Sequence, residues 1–451
     1  MAVTRRSRRA DGDSIDVVRG AVVTLLREAL PDGGTVAVAL SGGRDSVALL
    51  DAAAHGATSA SVRLVAFHVH HGLSAHADDW ARLCRDACAA CDIPFALARV
   101  EVEAACDGIE ASARARRYDA LATLARAHRV DAVLLAHHAD DQAETMLLQL
   151  ARGAGPHGLA GMPAIASGRG TLWLRPFLGL SRAKLDAYVA RHALAYVDDD
   201  SNANTRFRRN ALRAHMIPAL REIAPGYPGT LARAANLQAD AAALLDELAA
   251  LDATSAFDGK NLDATTLGSL SEARARNLLR WFLREQRLRA PSAVRLAQML
   301  SQLRHARGDA RISLVHDGAE VGVHRGRIVV HRIAPAPYAQ PWYGGASVDL
   351  PHGTLHFVPT LGSGIAARCL ASAAVTIRAG KPGERLMRSA RGSRRSVAEL
   401  LREAGVPGWA RTTLPRLYCG DTLAAVPYLG VDAAFAAQPD ERAFRLDWRP
   451  R

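Results

Sequence analysis

Lysine is almost missing from this chain: three of 451 residues, at positions 184, 260 and 381, so arginine carries nearly all of a net charge of +12. Such an excess suits a polyanionic partner, because clustered cations gain from counterion release on phosphate backbones. Aromatic residues are also few, at 5%, which argues against a single-strand binder that stacks bases on rings. Phosphate contact and shape reading fit better. The six cysteines follow no framework spacing, which excludes a disulfide scaffold and fits a reducing cytoplasm. No apolar run reaches the roughly 18 residues of a membrane span, so no membrane partner is expected. Arg5, Arg6, Arg8 and Arg9 precede no apolar core or small-residue cleavage site, so the opening does not read as a secretory signal. Residues 1–13 are expected to form a disordered basic tail. Also missing is GxxxxGK[ST], and with it the lysine that grips β- and γ-phosphates in P-loop kinases and GTPases.

A chain of this length, 49% hydrophobic and rich in alanine, is expected to hold two to four helix-favouring domains. From about Thr35 to Val197, β-like runs at 35–40, 63–69, 95–102, 131–136 and 171–175 alternate with helical stretches near 46–54, 75–91, 111–129 and 141–151. That alternation predicts an α/β fold with a parallel, doubly wound sheet, whose ligands sit beyond the carboxyl ends of the strands. Pro225-Gly226-Tyr227-Pro228-Gly229 reads as a break. Helices follow at 230–252, 271–288 and 291–304, then a β-rich piece at 311–333. Pro335, Pro337 and Pro341 mark a linker, and a small α+β module follows. The expected domains are 1–224, 225–340 and 341–451.

The most informative segment is VAVALSGGRDSVALL, residues 36 to 50. A strand opens into Ser41-Gly42-Gly43-Arg44-Asp45-Ser46 and a helix begins at once. The glycines allow close backbone approach, and the helix start offers unsatisfied N–H groups and a partial positive charge, which together make a phosphate cradle. SGGRDS resembles the PP-loop of the ATP pyrophosphatase superfamily, whose members split ATP into AMP and pyrophosphate. A second motif, His68-Val69-His70-His71, ends the second strand. His68 and His70 share one strand face and His71 points away, so a polar rim to the nucleotide pocket is expected in place of a zinc site. The third is His137-His138-Ala139-Asp140-Asp141-Gln142-Ala143-Glu144. Asp141 and Glu144 project from one face of a helix start. Capping explains one such carboxylate, whereas a group of three beside a phosphate cradle suits Mg²⁺ or a base for an amine. Cys84, Cys88 and Cys91 have radical-SAM spacing, but at i, i+4 and i+7 of a helix they read as a buried stripe.

HVHHGLS, Gly108-Ile109-Glu110 with Arg114 and Arg117-Tyr118, HHADDQAET, Arg152-Gly153-Ala154-Gly155-Pro156, Arg175-Pro176, Asp199-Asp200-Ser201-Asn202 with Arg209-Asn210, and the 380–411 stretch together resemble the tRNA(Ile)-lysidine synthetase family. The resemblance spans roughly residues 34 to 435. It implies ligation of L-lysine to the 2-carbon of the wobble cytidine in a CAU anticodon, with that base first adenylated by ATP. Ser41, Gly42, Gly43, Arg44, Asp45 and Ser46 would then bind ATP. Asp45, Asp141 and Glu144 would be catalytic, with Asp45 and Asp141 as Mg²⁺ ligands. His70, His71, Arg114, Arg117 and Arg209 would meet lysine or tRNA(Ile), as would Arg385, Arg388, Arg391, Arg394 and Arg395 in the C-terminal module. The resemblance is compatible with a homodimer. A thiolating PP-loop enzyme would need reactive paired cysteines near the pocket, and an amidating enzyme of this fold has no use for a basic C-terminal module.

Overall fold

The computed structural model describes residues 7–70, 72, 76–100, 109–197, 208–304, 312–332 and 338–450. His71, Gly108 and Asp199–Asn202 of the motifs above lie outside these residues. The chain divides into two compact units, Met1–Leu245 and Asp246–Arg451.

The first unit is built on a six-stranded sheet in the order β3-β2-β1-β4-β6-β5. Its strands are β1 (Gly34–Ala39), β2 (Val62–His70), β3 (Phe95–Arg99), β4 (Ala132–Leu134), β5 (Ile165–Gly168) and β6 (Thr171–Leu174). All neighbours are parallel except β5, which turns back on β6. Covered on both faces, the strands alternate between two apolar layers. Val36, Val38, Ala66, Ala132, Leu134 and Leu174 pack on one side, against helices α1 (Ser7–Ala29), α2 (Arg44–Gly56) and α7 (Arg182–Arg191). Ala37, Val65, Phe67, Val133 and Trp173 face the other way, onto Leu121, Ala122 and Ala125 of α4 (Ile109–Ala127). The remaining helices of interest are α3 (Ala77–Ala90), α5 (Ala139–Leu150), α6 (Pro156–Leu159), α8 (Arg208–Ala211), α9 (Ile217–Ile223) and α10 (Tyr227–Ala256).

The parallel doubly wound sheet expected from the alternation is present, with four differences of detail. The basic opening is helical from Ser7 onward, and α7 and edge strand β5 carry no strong periodic signal. The break read at 225–229 is shorter than expected: α10 begins at Tyr227 and takes Pro228 into its first turn, where proline costs no hydrogen bond. Cys84 and Cys88 are buried, their thiols pushed up to about 12 and about 11, chiefly by burial. Cys91, expected in the same stripe, caps α3 and is exposed.

The second unit has two cores. One joins the end of α10 to helices Glu272–Glu285 and Ala293–Arg304 and an antiparallel sheet running from Ser313 to Arg332, through Leu278, Leu279, Phe282, Met299 and Ile328. The other is a C-terminal α+β module, where strands Val375–Ala379, Pro415–Cys419 and Thr422–Val426 pack on helix Val397–Glu403 through Ile377, Leu401 and Leu417. Among the described residues no helix is long and apolar enough to cross a membrane.

One half-buried polar knot ties α1, α2 and α7 together. Tyr188 donates to Asp51 and accepts from Arg19 Nε at 3.0 Å, and Arg19 lies 3.6 Å from Asp51. Removing the hydroxyl takes the donor from the half-buried Asp51 Oδ2 and leaves it Arg19 and His55, each 3.6 Å away. Tyr188→Phe should therefore cost about 1–3 kcal/mol, read as a lower urea midpoint with unchanged slope; an unaltered midpoint would rule out a stabilising role for the knot.

Candidate active site

The sheet order places β1 beside β4, with crossovers leaving the pair in opposite directions. That switch point opens a crevice at the carboxyl ends. The SGGRDS turn leaves β1 there and the HHADD turn leaves β4, so two motifs distant in the chain become opposite walls of one cavity of about 380 Å³. Ser41, Gly43, Arg44, Asp45 and Ser46 line it with His68, His70, Arg117, His137, Asp141, Arg182 and Arg213.

The cradle is held open by its own hydroxyls. Ser46 Oγ donates to the Gly43 carbonyl at 2.8 Å and accepts from the Ser41 amide at 3.2 Å. Gly42 sits at φ +88°, and a Cβ there would press on Cys84 Sγ at 3.2 Å and Val197 Cγ2 at 3.3 Å. Gly43 caps α2, whose first turn leaves amides without intrahelical acceptors. His68 bonds the Leu40 carbonyl through Nδ1 at 2.8 Å, bracing the end of β1. His70 Nε2 lies 3.4 Å from Asp78. Arg44 turns part of its guanidinium to Asp186 at 2.7 Å and stacks on Tyr196.

His138 stands between the two walls. Its Nε2 lies 3.6 Å from Asp45 and 3.5 Å from Asp141, and Nδ1 lies 3.7 Å from Asp140. Burial opposes its charge, but the Asp45, Asp141 and Asp140 carboxylates outweigh burial and hold its pKa above the usual histidine value. Burial likewise pushes Asp141 up, yet His138, Arg209 and the His138 backbone N–H, which donates at 3.1 Å, bring it below the usual carboxylate range. His137 is the opposite case: burial, aided by Arg114, Arg175 and Arg117, pushes it down to about 3, so it is neutral.

The three carboxylates of the motif therefore have separate tasks. Asp140 accepts from the Arg182 amide at 2.9 Å and from the Tyr227 hydroxyl at 3.5 Å, fixing helix starts. Asp141 faces the cavity. Glu144 is turned to a pair of arginines: Arg209 Nε at 3.0 Å, and Arg213 through Nε at 2.6 Å and Nη2 at 3.0 Å. Burial, then the nearby Asp141, raises Glu144 against those two cations. Arg114 lies over the Tyr118 ring. Arg117 reaches the cavity yet stays exposed, with the cations Arg114 and Arg209 as neighbours. The sequence reading gave His137 and His138 no role of their own within their motif, and it passed over Arg213. Arg213 stands four residues after Arg209, and helical i, i+4 spacing was the available signal. A π turn at Leu212–Met216 carries it, a deviation common at functional sites.

Asp45 Oδ1 is buried and accepts no hydrogen bond, an orphaned hard oxygen within the cradle turn. Among the described residues no group of three or more acidic, histidine or cysteine side chains forms a complete cage. That donor set fits Mg²⁺, which binds through one or two carboxylates plus phosphate oxygens and water.

In the C-terminal module, Arg385 donates to the Arg394 carbonyl at 2.6 Å, Arg394 approaches Asp432 at 3.9 Å, and Arg395 pairs with Glu403 at 2.5 Å. Arg388 and Arg391 are exposed in the intervening loop.

The fold and cradle define an ATP-using PP-loop enzyme, and residues 21–220 match the PP-loop domain family. Residues 262–329 match the TilS substrate binding domain and 375–448 the TilS substrate C-terminal domain. The chain is 39% identical to the tRNA(Ile)-lysidine synthase of Burkholderia pseudomallei over 94% of each chain, and 40% identical to that of Ralstonia nicotianae over 92% of this chain and 93% of the other. It thus belongs to the tRNA(Ile)-lysidine synthase family, ligases that modify tRNA. Among solved structures, the U34-tRNA thiolase NcsA from Methanococcus maripaludis aligns at TM-score 0.43 and 16% identity, over 50% of this chain and 79% of that one.

Two outcomes follow from this geometry. Gly42→Ala forces a positive φ and a tight contact, which should cost about 1–3 kcal/mol and abolish ATP binding measured by calorimetry; wild-type affinity would mean the turn tolerates a Cβ. For His138, a native pKa above the unfolded value means stability that is complete below about pH 6.5 and fades as pH rises through the native value. The stability gap between wild type and His138→Gln should shrink over that rise, and a gap constant to about pH 9 would show that His138 carries no charge in the native state.

Proposed function

We propose that this chain joins L-lysine to the 2-carbon of the wobble cytidine of tRNA(Ile) bearing a CAU anticodon. The observation that carries the reading is a phosphate cradle without a gripping lysine that carries Asp45 and faces Asp141 across a single cavity, with His138 between the two carboxylates. The absent lysine suits cleavage between the α- and β-phosphates. In the first step the cytidine O2 attacks the α-phosphorus and pyrophosphate leaves. In the second, the lysine ε-nitrogen attacks C2, the C2–O bond breaks, and AMP departs with that oxygen. The amine proton passes to a carboxylate of the site.

The Ser41–Ser46 turn would hold the phosphates and fix the α-phosphorus. Mg²⁺ held by Asp45, whose Oδ1 accepts no hydrogen bond, would neutralise phosphate charge. Neutral His137 would offer a hydrogen bond without repelling the cationic amine. Arg114, Arg117 and Arg209 supply positive potential toward the anticodon, while Arg385, Arg388, Arg391, Arg394 and Arg395 suit the RNA backbone farther along the tRNA.

The test is AMP release from ATP by the purified protein, with and without L-lysine, using tRNA(Ile) with a CAU anticodon and tRNA(Met) as control. AMP release should require both lysine and tRNA(Ile), with one lysine joined per tRNA. Asp45→Ala should lower kcat at least about 100-fold, the scale of a lost electrostatic contact to the transition state. Release indifferent to lysine would move the chain to another PP-loop activity.

A further inference from the structure

Arg213 lines the cavity and Glu144, to which its guanidinium donates, does not. One edge of that guanidinium is spent on Glu144 in a forked contact. Its Nη2 also lies 3.4 Å from Asp141, and the side chain, about one-third exposed, faces the cavity. Behind it, Arg209 binds the same Glu144 at 3.0 Å and donates to Thr145 Oγ1 at 2.8 Å. Arg213 is therefore a cation held in place from behind, with donors left over for an anion in the cavity.

The charge pattern around it selects the kind of anion. Beside Arg213 stands Asp141, kept ionised, and beneath it Glu144. A triphosphate brought to this wall would meet two carboxylates, whereas the cradle across the cavity already offers helix-start amides for phosphate. A cation and a carboxylate 3.4 Å apart instead match a ligand that carries an anion and a cation on adjacent atoms. The α-carbon of a free amino acid bears that pair.

We propose that Arg213 reads the α-carboxylate of the substrate lysine, with Asp141 beside it receiving the α-ammonium; this rests on the ligation reading above. Glu144 is then a positioning residue that aims Arg213. The π turn at Leu212–Met216 and the i, i+4 relation of Arg209 to Arg213 are the local devices that bring both arginines onto one carboxylate.

The test compares L-lysine with L-lysinamide, which keeps both amines and lacks the carboxylate charge. With the full-length enzyme, the KM for lysinamide should exceed that for L-lysine at least about tenfold, the scale of one charge-assisted bidentate contact. Arg213→Gln should raise the KM for L-lysine about tenfold with kcat within about threefold, and leave the KM for lysinamide within about twofold. Arg213→Lys, which keeps the charge but not the fork, should fall between. If Arg213→Gln does not fold, judged by its melting curve, Arg213→Lys carries the test through the same ratio. An equal rise in KM for both amines, or a rise in the KM for ATP in place of lysine, would overturn the assignment. Calorimetric binding of L-lysine against lysinamide reads the same preference without turnover. Wild type that prefers L-lysine in binding yet forms no lysine adduct would therefore overturn the ligation reading and leave the Arg213 assignment standing.

Discussion

The parallel pairing of β1 with β4 is the constraint from which the site follows. Val36 pairs with Ala132 and Val38 with Leu134, so the two strands end side by side. Each end releases a turn that starts a helix. Had β4 joined the sheet at the far edge, the cradle and the acidic turn would lie several strand spacings apart, at about 4.8 Å each. Adjacency turns two separate local motifs into one cavity, with the glycine turn on one wall and the acidic turn on the other.

The charge balance across that cavity explains why so many ionisable groups can be buried together. Asp45, Asp141 and Asp140 surround His138, and Glu144 is bracketed by Arg209 and Arg213. Each of these carboxylates has a cation or a helix start near it, as burial requires. His137, the chain neighbour of His138, is pushed down to about 3 by burial and by Arg114, Arg175 and Arg117, against the pull of Asp141, and stays neutral. Adjacent histidines in one motif thus shift in opposite directions: burial, aided by arginines, lowers His137, whereas the carboxylates around His138 outweigh its burial and raise it.

Much of this was legible in the chain. Alternating β and helical runs pointed to the sheet class, since buried parallel strands must be apolar on both faces. The SGGRDS glycines marked a turn that only a small residue fits, as Gly42 at φ +88° bears out. Less legible were α7, whose short amphipathic pattern is weak, and Cys91, which the helical stripe placed inside but which falls one residue past the end of α3. Helix ends are set by tertiary packing as much as by local pattern.

By itself, the sequence determined which residue types stand at the two turns, that the first unit is a parallel α/β layer, and that the charge is arginine-borne. Only the tertiary structure decided how the acidic motif divides its labour. Asp140, Asp141 and Glu144 look alike as a string, being three carboxylates at a helix start. In space Asp140 meets backbone and tyrosine, Asp141 meets the cavity, and Glu144 meets Arg209 and Arg213 from a distant segment of the chain. A carboxylate's task depends on the charges and donors within a few ångströms, and those come from parts of the chain that local spacing does not reach.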